Sequence, residues 1–143
     1  MPVRIGTSTP STFKVGSSQV TKLYQGATLV WSTAAALSVS ASHTSVSGYE
    51  SRIAPAAANV NVTSISTVIT ASGGSGSYTY SWSRLSGSTA INVNGATSPN
   101  TPFNAVLGQN NTVTGVWRCT VSDGTSSAYV DVDVSLTYEV ATE

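Results

Sequence analysis

The chain has 143 residues, of which 40% are hydrophobic and only 8% charged, and its six basic and six acidic side chains cancel to a formal net charge of zero. Disorder driven by low hydrophobicity and high net charge is excluded. So is the concentrated basic surface that nucleic-acid binding needs, because Arg4, Lys14, Lys22, Arg52, Arg84 and Arg118 are scattered along the chain.

The missing charge is replaced by Ser, Thr, Asn and Gly, which suit strands and turns and weaken helices. A weakly charged, neutral surface lacks self-repulsion and favours association. The first ten residues lack the apolar core of a secretory signal, and no apolar run approaches the ~20 residues that span a membrane. We therefore expect synthesis in a cytosol and no membrane partner. Cys119 is the sole cysteine, so an intrachain disulfide is impossible. Asn61-Val62-Thr63 and Asn110-Asn111-Thr112 match the glycosylation sequon, but without a secretory route we expect neither to be modified.

From the N-terminus, residues 1–33 hold short apolar segments punctuated by glycine. They are Val3-Arg4-Ile5, Phe13-Lys14-Val15, Val20 to Tyr24 and Ala27 to Trp31. Gln25-Gly26 between the last two reads as a hairpin turn, because glycine tolerates positive φ. A lone hairpin is marginal in water, so this module should pack against the rest of the chain or against another subunit. Leu23, Tyr24, Leu29 and Trp31 are the candidate interface residues. Residues 34–143 form the second expected domain. Ala34-Ala35-Ala36 resembles a helix start, but Leu37 to Ser42 alternates with period two and favours a strand.

Strand signals then recur at sandwich-like spacing. Val60-Asn61-Val62 alternates, Ile65 to Ala71 is rich in β-branched residues, and Ser72 to Ser77 is a turn by composition. Tyr78 to Leu85 alternates aromatic with small polar residues, and Ala90 to Val93 is a short strand. Gly95 to Pro102 reads as a loop and Phe103 to Leu107 as another short strand. Val113 to Val121 is long and β-rich. In Ala128 to Tyr138, Val130, Val132, Val134 and Leu136 share one face, and Tyr129, Asp131, Asp133 and Ser135 the other. The fold class is all-β.

No constellation in the sequence points to catalysis or to a cofactor. His43 is the only histidine and reads as a solvated loop residue. Asp131 and Asp133 share a strand face and are the one metal candidate, with Asp123 nearby, but calcium usually takes 6–8 oxygen ligands. Gly73-Gly74-Ser75-Gly76 lacks the lysine and helix of a phosphate loop.

Seven or eight short strands over this length resemble an immunoglobulin-like sandwich. Trp82 is similar to the core tryptophan of strand C, and Cys119 to the strand F cysteine. The strand B position that would hold a disulfide partner reads Val68-Ile69-Thr70, so Ile69 should fill that space. Trp117 stands where such domains place the tyrosine-corner residue, and its indole N–H is at best a partial substitute for the hydroxyl. Ile69, Trp82, Trp117 and Cys119 are the expected core.

Ala71 to Ser83, together with Val121-Ser122-Asp123-Gly124, resembles the corresponding parts of bacterial and phage Ig-like repeats of the PKD-like kind. Val20 to Trp31 resembles a segment near the start of many phage virion and tail-associated proteins. The resemblance implies a non-enzymatic virion protein, made in the host cytoplasm, that decorates or reinforces a capsid, neck or tail. Its implied partners are other virion proteins, in multiple copies of a symmetric assembly, with weak glycan contact at the cell surface. The alternative it leaves open is a receptor- or carbohydrate-binding module of a tail fibre, using the loops Gly73–Ser77 and Gly95–Pro102.

Overall fold

The structure is a computed structural model that describes residues 13–15, 18–20, 22–32 and 35–142, with side chains for 22–28 and 35–142. The chain divides into Met1–Ala35 and Ala36–Glu143. In the first unit, β1 (Phe13–Val15) pairs antiparallel with β2 (Ser18–Val20), and β3 (Lys22–Gln25) with β4 (Thr28–Ser32). Val3-Arg4-Ile5 lies outside the described residues.

The second unit runs β5 (Ser38–Ala41), β6 (Ser45–Ile53), β7 (Asn59–Thr63), β8 (Thr67–Ser72) and β9 (Thr79–Gly87). It continues with β10 (Asn92–Val93), β11 (Asn100–Thr101), β12 (Phe103–Gly108), β13 (Asn111–Ser122) and β14 (Ser127–Ala141). There is no helix among the described residues. Ala35 and Ala36 are not helical, and the Ser-Val-Ser-Ala pattern that follows pairs with β8; Ala34 lies outside the described residues.

One sheet has the order β6-β14-β13-β9. The other is built in two pieces, β5-β8-β11 and β7-β12-β10. Thr63 pairs with Asn104 and Thr67 with Thr101, so β7–β8 advances by one residue more than β11–β12. That extra residue falls in Ser64-Ile65-Ser66, a bulge that breaks the strand expected over Ile65 to Ala71 and leaves Ile65 exposed. Ser64 N–H donates to the Phe103 carbonyl, and Ser64 Oγ accepts from Phe103 N–H at 2.9 Å, so the two pieces join across the bulge. In immunoglobulin lettering the sheets are A-B-E-D and A′-G-F-C. The fold is an immunoglobulin-like β-sandwich.

Strand A changes sheets at Ser42-His43-Thr44. Ser42 N–H donates to the Val68 carbonyl on one sheet, while the Thr44 carbonyl accepts from Asp133 N–H on the other. Beyond this point β6 runs parallel to β14, from Ser45 opposite Asp133 to Ile53 opposite Ala141. The sequence carries little sign of β6, because only Val46 among its residues is a buried apolar side chain. Gly48 explains why. A Cβ there would run into the Thr63 carbonyl oxygen, so glycine is required by close backbone approach.

Between the sheets, Val62, Ile69, Phe103, Ala105 and Leu107 meet Trp82, Trp117, Cys119, Val132, Val134 and Leu136. Phe103 sits at the centre. Its ring is edge-on to Trp82 at 5.4 Å and tilted against Trp117 at 5.6 Å. Such pairs contribute roughly 0.5–1.5 kcal/mol beyond area burial.

Candidate functional site

The hairpin β3–β4 carries the candidate interface residues. Leu23 stands opposite Trp31, and Tyr24 opposite Leu29, with the register shifting between the two pairs. The turn is Gly26-Ala27 rather than Gln25-Gly26, because Gln25 is still paired with Thr28. Gly26 takes φ 63°, and glycine at the first turn position is the type II′ preference whose twist matches the flanking strands. Leu23 is 38% and Tyr24 53% exposed, so the hairpin presents apolar surface on a two-stranded sheet. The side chains of Leu29 and Trp31 lie outside the described residues.

The loops proposed for ligand contact in the sandwich are tied into the framework. Tyr78 Oη donates to the Gly73 carbonyl at 2.7 Å. Ser75 N–H donates to Asp123 Oδ2 at 3.0 Å, and Ser75 Oγ to the Asp123 carbonyl at 2.8 Å. Asp123 Oδ1 also accepts from Thr125 N–H and Ser126 N–H, at 2.8 and 2.6 Å. These backbone donors, Ser126 first, hold the Asp123 carboxyl below the usual aspartate range. Asp123 is thus a brace between two loops.

The stretch from Gly95 to Pro102 packs over the edge of β9. Trp82 N–H donates to the Ala96 carbonyl, Trp82 Nε1 to the Ser98 carbonyl at 3.0 Å, and Ile69 N–H to the Pro99 carbonyl. Asn100-Thr101, read from sequence as loop, is the strand β11.

The remaining candidates separate. His43 is exposed, its Nδ1 lies 3.0 Å from Ser42 Oγ, and its carbonyl accepts from Thr67 Oγ1. It serves the sheet crossover. Asp131 and Asp133 do share a face, but Asp131 forms a two-pronged ion pair with Arg118, at 2.7 and 2.8 Å. The Arg118 guanidinium also lies 3.7 Å from the Tyr129 ring centre. The pair lowers the Asp131 pKa and raises that of Arg118, through their shared hydrogen bonds. Asp133 remains exposed, and no cluster of three metal-binding side chains occurs among the described residues.

Ile69, Trp82, Trp117 and Cys119 are all buried. Burial pushes the Cys119 thiol up to about 11. Trp117 Nε1 is buried without a hydrogen-bond partner, so its indole does not take over the corner bond that a tyrosine would make.

Sequence reasoning missed how charge is distributed over the sandwich. Glu50 and Arg52 are on β6, Arg84 on β9, Arg118 on β13, Asp123 just after it, and Asp131, Asp133 and Glu139 on β14. All belong to the A′-G-F-C sheet or its connections. Among the described residues the outer face of the A-B-E-D sheet carries no charge. It is Ser, Thr and Asn, interrupted by exposed Val68 and Val106. The signal was present as charge-free strands from Ser38 to Ala41 and from Asn59 to Ser72, but it becomes a surface only once those strands are paired.

Among solved structures, the chain is similar to the PKD domain of human KIAA0319, determined in solution. The identity is 19%, the match covers 68% of this chain and 81% of that one, and the TM-score is 0.28. No protein-family model and no curated protein matches the chain.

Proposed function

We propose that this chain is a non-enzymatic structural protein of a bacteriophage particle. It decorates or reinforces the capsid, neck or tail, and its N-terminal module, residues 1–33, attaches it to other virion proteins. The observation that carries this reading is the hairpin β3–β4, which exposes Leu23 and Tyr24 on a sheet of only two strands. A two-stranded hairpin with an apolar surface needs a partner to be stable. The resemblance of Val20 to Trp31 to phage virion segments supports the choice of partner. The mechanism is burial of area and strand packing, with no bond made or broken.

Each of the two side chains would contribute about 1–2 kcal/mol when covered, close to tenfold in affinity apiece. The test is incorporation. Particles assembled with the Leu23→Ser/Tyr24→Ser chain should hold less than about a tenth of the normal copy number, counted by quantitative mass spectrometry. Deletion of residues 1–33 should abolish incorporation. Normal copy number in the deletion particles would refute the attachment scheme, and absence of the natural chain from purified particles would refute the virion assignment.

A further inference from the structure

The sequence has a single asparagine followed by glycine, Asn94-Gly95, and it lies between β10 and β11. Its surroundings leave both of the atoms that can react open. Asn94 is exposed, and neither its carboxamide nor the Gly95 N–H has a hydrogen-bond partner among the described residues. The main chain around them is fixed. Asn94 N–H donates to the Pro102 carbonyl at 3.0 Å, the Asn94 carbonyl accepts from the buried Thr101 Oγ1 at 2.5 Å, and the Gly95 carbonyl accepts from Ser98 N–H at 3.0 Å. Gly95 takes φ 115°, and a Cβ there would lie 3.1 Å from Ser98 Cβ. The fold therefore requires glycine at this position, the residue that shields its own amide nitrogen least.

Asp123-Gly124 is a junction of the same kind, and it is closed. Asp123 Oδ1 accepts from Thr125 N–H and Ser126 N–H, Oδ2 accepts from Ser75 N–H, and Gly124 N–H donates to Ser122 Oγ at 3.2 Å. Attack of Gly124 on the Asp123 side chain would have to break these bonds first, which ties it to opening of the loops.

We propose that Asn94 is a site of self-modification, converted to aspartate and isoaspartate through a cyclic imide. The Gly95 nitrogen attacks Asn94 Cγ. An N–Cγ bond forms, the Cγ–Nδ2 bond breaks, and Nδ2 leaves with the Gly95 proton as ammonia. Both groups sit in one chain, so no second reactant has to be gathered for this step. Water then opens the imide, its hydroxyl going to a carbonyl carbon and its proton to the nitrogen. Opening at Cγ gives aspartate. Opening at the main-chain carbonyl carbon gives isoaspartate, with the chain rerouted through Cβ and Cγ. Either product adds a negative charge to a chain whose formal net charge is zero. Isoaspartate also lengthens the neck of the Gly95–Pro102 loop, at the carbonyl that Thr101 holds. The reaction does not depend on what residues 1–33 bind.

The test is ageing of the full chain at mildly alkaline pH, native and in urea, followed by isoelectric focusing and peptide mapping. The native chain should develop an acidic band, with an amide replaced by an acid at Asn94 and at no other asparagine. Fragmentation by electron transfer should find both aspartate and isoaspartate there. Asn94→Gln keeps the exposed amide and both main-chain bonds but closes a larger ring far more slowly, so the band should be lost in that variant. Asp123 should stay unchanged in the native chain and isomerise in urea. Native protein that keeps Asn94 intact while the chain in urea converts would overturn the proposal, because the fold would then protect the site. Aspartate without isoaspartate would overturn the cyclic route. So would an acidic band that persists in Asn94→Gln, or native isomerisation of Asp123 as fast as conversion of Asn94.

Discussion

Trp82 and Trp117 flank the same phenylalanine, yet their indole nitrogens differ in one respect that matters. Trp82 Nε1 reaches the Ser98 carbonyl, while Trp117 Nε1 is buried with no partner. Replacing Trp82 by Phe leaves a carbonyl unpaired, whereas replacing Trp117 by Phe removes a donor that was never satisfied. Trp82→Phe should therefore destabilise the fold by about 1 kcal/mol more than Trp117→Phe in urea unfolding, and equal losses would contradict the assignment. Cys119 is fully buried and its thiol is raised to about 11, so it should not react with a thiol reagent at pH 8 until the chain unfolds. Fast labelling of the native protein would show that this strand is not closed. Asp123 and Asp131 are both held below the ordinary aspartate value. A depressed carboxyl stabilises the fold above its unfolded pKa of ~3.9, and that contribution disappears as pH falls through the lower folded value. Acid should thus destabilise the protein below about pH 4, and Asp123→Asn should flatten that part of the stability curve. An unchanged acid limb in Asp123→Asn would contradict the brace.

The elements differ in how far they could be read in advance. β14 was legible, because Val130, Val132, Val134 and Leu136 alternate with polar residues and one face of the strand enters the core. Trp82 and Cys119 were legible as inward positions of adjacent strands, and they are paired in register. β6 was not. Its inward positions after Val46 are Gly48 and then the partly exposed Glu50, so the period-two signal is erased by the residue that close packing demands. Its partner is also distant in sequence, and a parallel pairing with β14 leaves no local turn signature. Gly48→Ala tests this explanation. The added methyl must displace the Thr63 backbone, so a loss of about 1–3 kcal/mol is expected, and a neutral result would contradict it. The bulge at Ser64-Ile65-Ser66 was hidden for the opposite reason, since Ile65 extends an apolar run that the chain interrupts to join two ladders. In the hairpin, Gly26 announced a turn but not its frame, which depends on which residues pair. The candidate site was legible only as apolar residues beside a turn, because exposure of Leu23 and Tyr24 carries no periodic signature.

Over the whole molecule, three surfaces have distinct characters. One sheet of the sandwich carries the described charges of that unit, including the Arg118–Asp131 pair. The other is uncharged and patterned with asparagine. The hairpin of the first unit exposes apolar side chains. Loops that bind one another and a core without a disulfide fit a module whose own stability comes from packing. Cryo-electron microscopy of the native particle tests attachment most directly. The account predicts density for this chain in which residues 22–32 are covered by another virion protein, with Leu23 and Tyr24 in the contact. Residues 22–32 facing solvent while the sandwich makes the attachment would contradict it.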